Sequence, residues 1–468
     1  MTPIAGQPIL TAAQMRAAED AAIAAGASVA TLMERAGTAV AGAVHRLAAG
    51  SPVLIACGRG NNGGDGYVAA RILKARGIAV RVAATGTPQS DAAIAACAVW
   101  DGPVEALETA RPAPVFVDAI FGTGLSRHVD AAIGVPLAAL ARAAHLSIAV
   151  DLPSGFATDT GEVLIDDPVG YAVTLALGAL KPVHVLEPSS KLCGTVRVLD
   201  LGIEVPQDGQ ATVIGRPRLA APTSSSTKYT RGMVAIIGGT MPGAAALAAE
   251  AAMRSGAGYV LLLADEMPWG SPHALVRKSW STAALDEPRI GCVLVGPGLG
   301  RNRDARDKLA AALASDHPLV IDGDALHLLE GRTFHDRAAP ILLTPHGGEF
   351  KAVFGDWHGS KIDAARAAAR KSGAVIVFKG PDTVIADPSG AAVVSPRGSS
   401  WLSTAGTGDV LAGAVAAMAS DPQDGARLID RMRVPAAVWL HGEAARRLGG
   451  AFVADDLART LSAVRAAL

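Results

Sequence analysis

The chain is poor in cysteine. Its four, Cys57, Cys97, Cys193 and Cys292, are widely scattered and form no Cys-x-x-Cys pair. That spacing argues against a disulfide framework and a cysteine-rich zinc module. Aromatic residues are few and the net charge is −1, so there is neither a basic stripe for nucleic acid nor an acidic tail. No apolar run reaches membrane-spanning length without a glycine or a charge. The N-terminal stretch MTPIAGQPILTAAQMRAAED lacks the basic start and apolar core of a signal peptide. These absences lead us to expect a soluble, cytoplasmic protein with no membrane or nucleic-acid partner.

What is present is alanine, glycine and short apolar runs. Half of the 468 residues are apolar, which suits buried parallel strands and closely packed helices. The length favours two or three domains over one core. Thr11 to Leu47 reads as one or two amphipathic helices. Pro52 to Cys57 reads as a buried strand and feeds Gly58-Arg59-Gly60-Asn61-Asn62-Gly63-Gly64-Asp65-Gly66, with a helix expected from Tyr67 to Arg76. Strand, glycine-rich turn and helix present backbone donors to a phosphate. The spacing is neither a dinucleotide fingerprint with its following acid nor a Walker loop, which argues against a plain dehydrogenase. Further strands are expected at Val80 to Ala84, Val115 to Ile120 and Ser147 to Val150. The last two run into Phe121-Gly122-Thr123-Gly124-Leu125 and Asp151-Leu152-Pro153-Ser154-Gly155. Ligands of an open parallel sheet bind beyond the carboxyl ends of its strands, so Asn62, Asp118 and Ser154 are expected to converge. Oxygen ligands carrying one formal charge suit a monovalent cation better than zinc. Asp151 stands beside them, able to move a proton or hold a ribose.

Proline, serine and threonine cluster between Gly209 and Tyr229, the best linker candidate. The expected organisation is a domain at 1–212, a linker at 213–228 and a domain at 229–468. The second half opens with Met233 to Ile237 and Gly238-Gly239. It repeats the strand-then-polar-turn pattern at GPGLG (Gly296 to Gly300), at Asp322-Gly323-Asp324, at TPHGGEF (Thr344 to Phe350) and at Lys379-Gly380. The stretch Ser403 to Gly413, STAGTGDVLAG, enters a helix. Its unpaired N–H groups make an anion site. A carboxylate there, Asp409, would repel a phosphate, but it makes sense as the base that deprotonates an attacking hydroxyl. A phosphate loop, Lys379 and Asp409 on successive elements favour phosphoryl transfer. The alanine-rich background carries no further information at this stage.

Together these motifs resemble the bifunctional NAD(P)H-hydrate repair enzymes over nearly the whole chain. LMERAG (Leu32 to Gly37), GNNGGDG (Gly60 to Gly66), FGTGL and DLPSG are similar to NAD(P)HX epimerase. GPGLG, TPHGGEF, KGPDTVIA and AGTGDVLAG are similar to ADP-dependent NAD(P)HX dehydratase. The resemblance implies an α/β chain with two three-layer domains, Rossmann-like and then ribokinase-like. It implies epimerisation of the R and S hydrates followed by dehydration of the S form with ADP. It assigns hydrate binding to Asn61, Asn62, Gly63, Gly64, Asp65, Gly122, Thr123, Gly124, Leu125, Ser126, Arg127, His128 and Asp151, and K⁺ to Asn62, Asp118 and Ser154. In the second domain it assigns the hydrate to Ala244, Gly298, His346, Gly347, Gly348, Glu349 and Asp409. The nucleotide falls to Lys379, Gly380, Pro381, Asp382, Thr383, Ser399, Ser400, Thr404, Ala405, Gly406, Thr407 and Gly408. Asp151 and Asp409 are the expected catalytic residues, Mg²⁺ would accompany ADP, and a homo-oligomer is implied. Many relatives carry proline where this chain has Gly347, so the turn is looser here. Two rivals stay open: a ribokinase-like small-molecule kinase with a fused nucleotide-binding module, and a nucleotide sensor without turnover.

Overall fold

A computed structural model describes residues 1–206, 209–266, 270, 272–396, 398–421 and 427–468. The chain divides into two compact units, Met1–Val213 and Ile214–Leu468.

In the first unit the strands are β1 (Pro8–Ile9), β2 (Val53–Cys57), β3 (Val80–Ala84), β4 (Val104–Ala106), β5 (Val115–Ala119), β6 (Leu146–Val150), β7 (Val173–Leu177), β8 (Thr195–Leu199) and β9 (Ala211–Val213). The main sheet has the order β4-β3-β2-β5-β6-β7-β8, and every pairing in it is parallel. β1 pairs antiparallel with β9. Both faces are covered, as the continuous run Val-Leu-Ile-Ala-Cys requires. Val53, Ile55 and Cys57 enter one core with helix Val29–Ala48, while Leu54 and Ala56 enter another with helix Ala131–Ala143. The chain winds outward in both directions from β2 and β5. That makes the gap beyond their carboxyl ends the switch point where a doubly wound sheet opens a crevice.

The glycine-rich stretch after β2 is not a turn. Helix Asn61–Ala75 begins inside it, well before the expected Tyr67. The glycines serve close packing: a Cβ at position 63 would lie 1.9 Å from Gly58 O, one at 64 would lie 2.6 Å from Met33 Sδ, and one at 66 would lie 2.8 Å from Cys57 Sγ. They draw the start of the helix down onto the sheet.

The second unit adds β10 (Met233–Ile237), β11 (Tyr259–Leu263), β12 (Val276–Lys278), β13 (Cys292–Val295), β14 (Leu319–Ile321), β15 (Ile341–Leu343), β16 (Val375–Phe378), β17 (Thr383–Ala386) and β18 (Ala392–Ser395). They run in the order β18-β17-β16-β15-β14-β13-β10-β11-β12. β10 to β16 are parallel and the β16-β17-β18 meander is antiparallel. Here the switch point lies beyond β10 and β13. Alanines build this core: Ala248, Ala249, Ala252, Ala412, Ala416 and Ala419 are buried together. Helix Thr407–Ala419 passes so near helix Pro242–Ser255 that a Cβ at Gly413 would meet Ala248 O at 2.1 Å. The segment after Val213 packs partly on the second unit. Ile214 and Leu219 lie against its core, and Arg465 donates to the carbonyls of Leu219 and Ala220. Among the described residues, no helix is long and apolar enough to cross a membrane.

Because helix Asn61–Ala75 has no space beneath it, Gly63→Ala is expected to destabilise the first unit by about 2 kcal/mol or more. The urea midpoint measures this, and an unchanged midpoint would refute the close-approach reading.

Candidate active sites

In the first unit, a cleft of about 1210 Å³ opens at the switch point. Asn61, Asn62 and Asp65 reach it from the start of their helix. Gly122 to Leu125, Arg127 and His128 come from the turn after β5, and Asp151 from the end of β6. Gly63 and Gly64 are buried in the first turn of helix Asn61–Ala75, and Ser126 is exposed.

Asp118 is fully buried at the end of β5. It accepts from Ser154 N at 3.0 Å, Ser154 Oγ at 2.8 Å, Tyr171 OH at 2.6 Å and Ile120 N at 3.1 Å. Burial pushes its carboxyl up, and the bonds from Tyr171 and Ser154 pull it back. Ser154 Oγ in turn accepts from Phe121 N, tying the two turns together. Asn62 donates through Nδ2 to Val150 O at 3.3 Å, whereas its buried Oδ1 has no hydrogen-bond partner among the described residues. An orphaned buried acceptor and a buried carboxylate at the same sheet edge are a donor set that fits a weakly held monovalent cation.

Asp151 has φ 64°, a left-handed conformation costly for a residue with a side chain. It is held there from several directions. Lys181 Nζ donates to Asp151 Oδ1 at 2.5 Å and to Leu177 O at 2.7 Å, and Leu177 N reaches Oδ1 at 3.3 Å. His184 takes the Lys181 N–H on Nδ1, so its Nε2 carries the proton donated to Asp151 O at 2.7 Å. Burial and the Lys181 charge push His184 down to about 4, which keeps the ring neutral. Oδ1 of Asp151 is therefore occupied. Oδ2 lies 3.3 Å from where a Cβ at Gly122 would stand, facing the turn that lines the cleft.

The second unit gathers its polar groups at the carboxyl ends of β13 to β16. Asp322, 2 % exposed, follows β14 and accepts from Lys379 Nζ at 2.7 Å and Thr344 Oγ1 at 2.6 Å. Lys379 follows β16 and also lies 3.6 Å from Glu349 Oε2. The loop residue His346 caps helix Gly347–Phe354. Its Nδ1 accepts from Gly348 N and Glu349 N, and Glu349 Oε2 accepts from His346 N at 2.8 Å. Gly406, at φ 88°, caps helix Thr407–Ala419, which carries Asp409 in its first turn. A Cβ at Gly408 would lie 3.6 Å from Lys379 Nζ, so the lysine stands beside that helix start. Burial, then the charge of Asp322, push Asp409 up to about 7 against the pull of Lys379.

The Lys379 to Thr383 turn is braced by Lys361, which donates to Asp382 Oδ1 at 2.6 Å and to Lys379 O at 3.3 Å. Gly398 N donates to Pro381 O at 2.7 Å, joining that turn to the chain that leads into Ser399 and Ser400. Thr407 Oγ1 donates back to Thr404 O at 2.9 Å. Gly298 and Ala244 face each other at the β10–β13 switch point, and Met241 N donates to Gly298 O.

Sequence reasoning missed Lys181, His184, Tyr171 and Asp322. A lysine between apolar residues and a proline was the one signal for Lys181, and Asp322 was seen only as a strand end.

Each of the two doubly wound α/β units gathers a buried lysine–aspartate pair at the carboxyl edge of its sheet, where this class of fold places its ligand sites. The NAD(P)H-hydrate dehydratase family matches residues 234–464, and the YjeF-related protein N-terminus family matches residues 29–183. The bifunctional NAD(P)H-hydrate repair enzyme Nnr of Salinibacter ruber is 33 % identical, over 96 % of this chain and 94 % of its own. That of Gloeobacter violaceus is 34 % identical, over 95 % and 94 %. The chain belongs to the bifunctional NAD(P)H-hydrate repair enzyme family. Among solved structures, the ADP/ATP-dependent NAD(P)H-hydrate dehydratase of Bacillus subtilis co-crystallised with ATP/Mg²⁺ is 29 % identical. It covers 53 % of this chain and 93 % of its own, with a TM-score of 0.46.

Removing one partner of a buried pair strands the other charge. Lys181→Met is expected to cost about 3–5 kcal/mol of stability, measured by chemical unfolding. A variant as stable as the parent would mean that the pair is solvated.

Proposed function

We propose that this chain repairs hydrated NADH and NADPH at two sites. The first unit interconverts the R and S epimers at C6 of the hydrate. The second dehydrates the S form with ADP, giving NAD(P)H, AMP and phosphate. Family membership supports both activities. The observation that carries the chemical reading is Asp409, whose proton affinity is tuned to about 7 at the mouth of a helix beside Lys379.

Hydroxide is a poor leaving group. In the second unit Asp409 takes the proton of the C6 hydroxyl as the oxygen attacks the terminal phosphate of ADP. The bond between that phosphate and AMP breaks, and AMP leaves. The ring nitrogen lone pair then expels phosphate as the C6–O bond breaks, and the departing phosphate takes a proton from C5 as the double bond forms. The backbone N–H groups of Gly406 and Gly408 and the charge of Lys379 stabilise the transferring phosphoryl group. Lys379 to Thr383, Ser399, Ser400 and Thr404 to Gly408 form the nucleotide cradle, and Ala244, Gly298 and His346 to Glu349 hold the hydrate. Mg²⁺ would accompany the nucleotide and neutralise phosphate charge.

In the first unit Asn61 to Asp65 and Gly122 to His128 bind the hydrate, and Asp151 accepts the proton of its C6 hydroxyl. Asn62, Asp118 and Ser154 would hold K⁺. The orphaned Asn62 Oδ1 would serve as the open ligand, because four donors already occupy the Asp118 carboxylate. The ion would supply a fixed positive charge beside the bound hydrate. We place this work in the cytoplasmic cofactor pool.

The test is recovery of reduced-nicotinamide absorbance near 340 nm from a mixture of R and S NADH hydrate with ADP and Mg²⁺. Full recovery is expected, and recovery of the S fraction alone would refute the epimerase assignment. A base must be ionised, so kcat/KM for dehydration is expected to rise with pH through about 7. Asp409→Asn should flatten this limb and lower kcat about 10²–10⁴-fold. Near-normal turnover by that variant would remove Asp409 from the chemistry.

A further inference from the structure

Epimerisation at C6 through an open chain needs two proton transfers at two atoms. The hydroxyl oxygen must lose a proton, and the ring nitrogen must gain one as the C6–N1 bond breaks. Asp151 supplies only the first, and a second group must start out protonated. We propose that Asp65 is that group, the general acid paired with Asp151 as general base in the epimerase site. This rests on the epimerase reading of the first unit.

Three buried carboxyl groups stand at this switch point, and their surroundings differ. Asp118 is filled by four donors. Asp151 has one oxygen pinned by Lys181 and Leu177 N. Asp65 is only 8 % exposed and lines the cleft, yet among the described residues no hydrogen bond reaches its carboxyl group. Its carboxyl oxygens are not among the sealed, unpartnered atoms of the interior; they stay open to the cleft, where a ligand can reach them. The groups acting on it from neighbouring elements are Asp151 at the end of β6, Glu19 on helix Ala12–Ala24 and Lys181. Burial first, then the negative charges of Asp151 and Glu19, push its carboxyl well above the usual carboxylate range despite the opposing pull of Lys181. Two carboxyl groups in one cleft, one paired with a lysine and one unpaired among acids, are divided into base and acid by their environments.

The step balances within the substrate and these two side chains. Asp151 takes the hydroxyl proton, the C6–O bond becomes a carbonyl, and the C6–N1 bond breaks. Its electron pair goes to N1, which takes the proton of Asp65. Rotation about C5–C6 turns the other face of the aldehyde toward N1. Ring closure returns one proton to Asp65 and one to the new C6 hydroxyl, with no water consumed and no co-reactant.

The experiment uses the full chain with mixed R and S NADH hydrate, ADP and Mg²⁺. Recovery is expected in two phases: a fast one from S and a slow one limited by conversion of R. Asp65→Asn removes the proton without removing any hydrogen bond within the protein. It is expected to lower the maximal rate of the second phase about 10²–10⁴-fold, with the first phase, which belongs to the other site, unchanged. Asp65→Glu, which keeps an acid, should restore part of the rate. A slow phase within about 2-fold of the parent in Asp65→Asn would overturn the proposal, since general acid catalysis is worth far more. So would a raised KM at unchanged maximal rate, which would make Asp65 a binding residue only. Oxygen-18 in the C6 hydroxyl should stay with C6 through epimerisation, and its replacement by solvent oxygen would overturn the ring-opening step. Absence of the fast phase in the parent chain would instead count against the dehydratase reading.

Discussion

A lysine buried against an aspartate at the carboxyl edge of a parallel sheet is the interaction on which both sites depend. Lys181 holds Asp151 in the first unit, and Lys379 holds Asp322 in the second. Such pairs are costly to desolvate and add little net stability compared with apolar packing. What they do here is local. Lys181 fixes one oxygen of a residue whose backbone is strained and leaves the other facing the Gly122 turn. Lys379 neutralises Asp322 in part, yet Asp322 and Glu349 still bear on Asp409. In each unit a second carboxyl group, Asp65 or Asp409, is left with a raised affinity for protons. Burial and uneven pairing with the lysine together set that affinity.

Small residues make these arrangements possible. The first helix turn carrying Asn62 and Asp65 can lie on β2 only because positions 63 and 66 have no side chain. The helix bearing Asp409 reaches its place because Gly413 and its alanines let it lie against helix Pro242–Ser255. Substituting larger apolar residues there would move the start of the helix, and with it the carboxylate. The alanine content of the chain is thus part of how the sites are positioned.

Much of the scaffold was legible because its signals are local. Buried parallel strands are continuous apolar runs, and their carboxyl ends are the polar residues that follow. Asp118, Asp151, Lys379 and Asp409 could be singled out from those runs alone. The start of helix Asn61–Ala75 was not legible, because glycine and asparagine argue for a turn until the atoms beneath them are known. Lys181 and Asp322 were not legible either. Lys181 finds its partner 30 residues away, and Asp322 finds Lys379 57 residues away. Tyr171 reaches Asp118 across 53 residues. No spacing rule links such pairs, since the topology of the sheet brings them together.

The central claim is that the hydroxyl leaves as a phosphate ester made with the help of Asp409. The most direct test places oxygen-18 in the C6 hydroxyl of S-NADH hydrate and follows the label through a turnover with ADP and Mg²⁺. The labelled oxygen is expected in inorganic phosphate, because the bond that breaks last is the one to C6. Label appearing in water, with none in phosphate, would contradict it and would mean that ADP is hydrolysed beside the dehydration instead of carrying it.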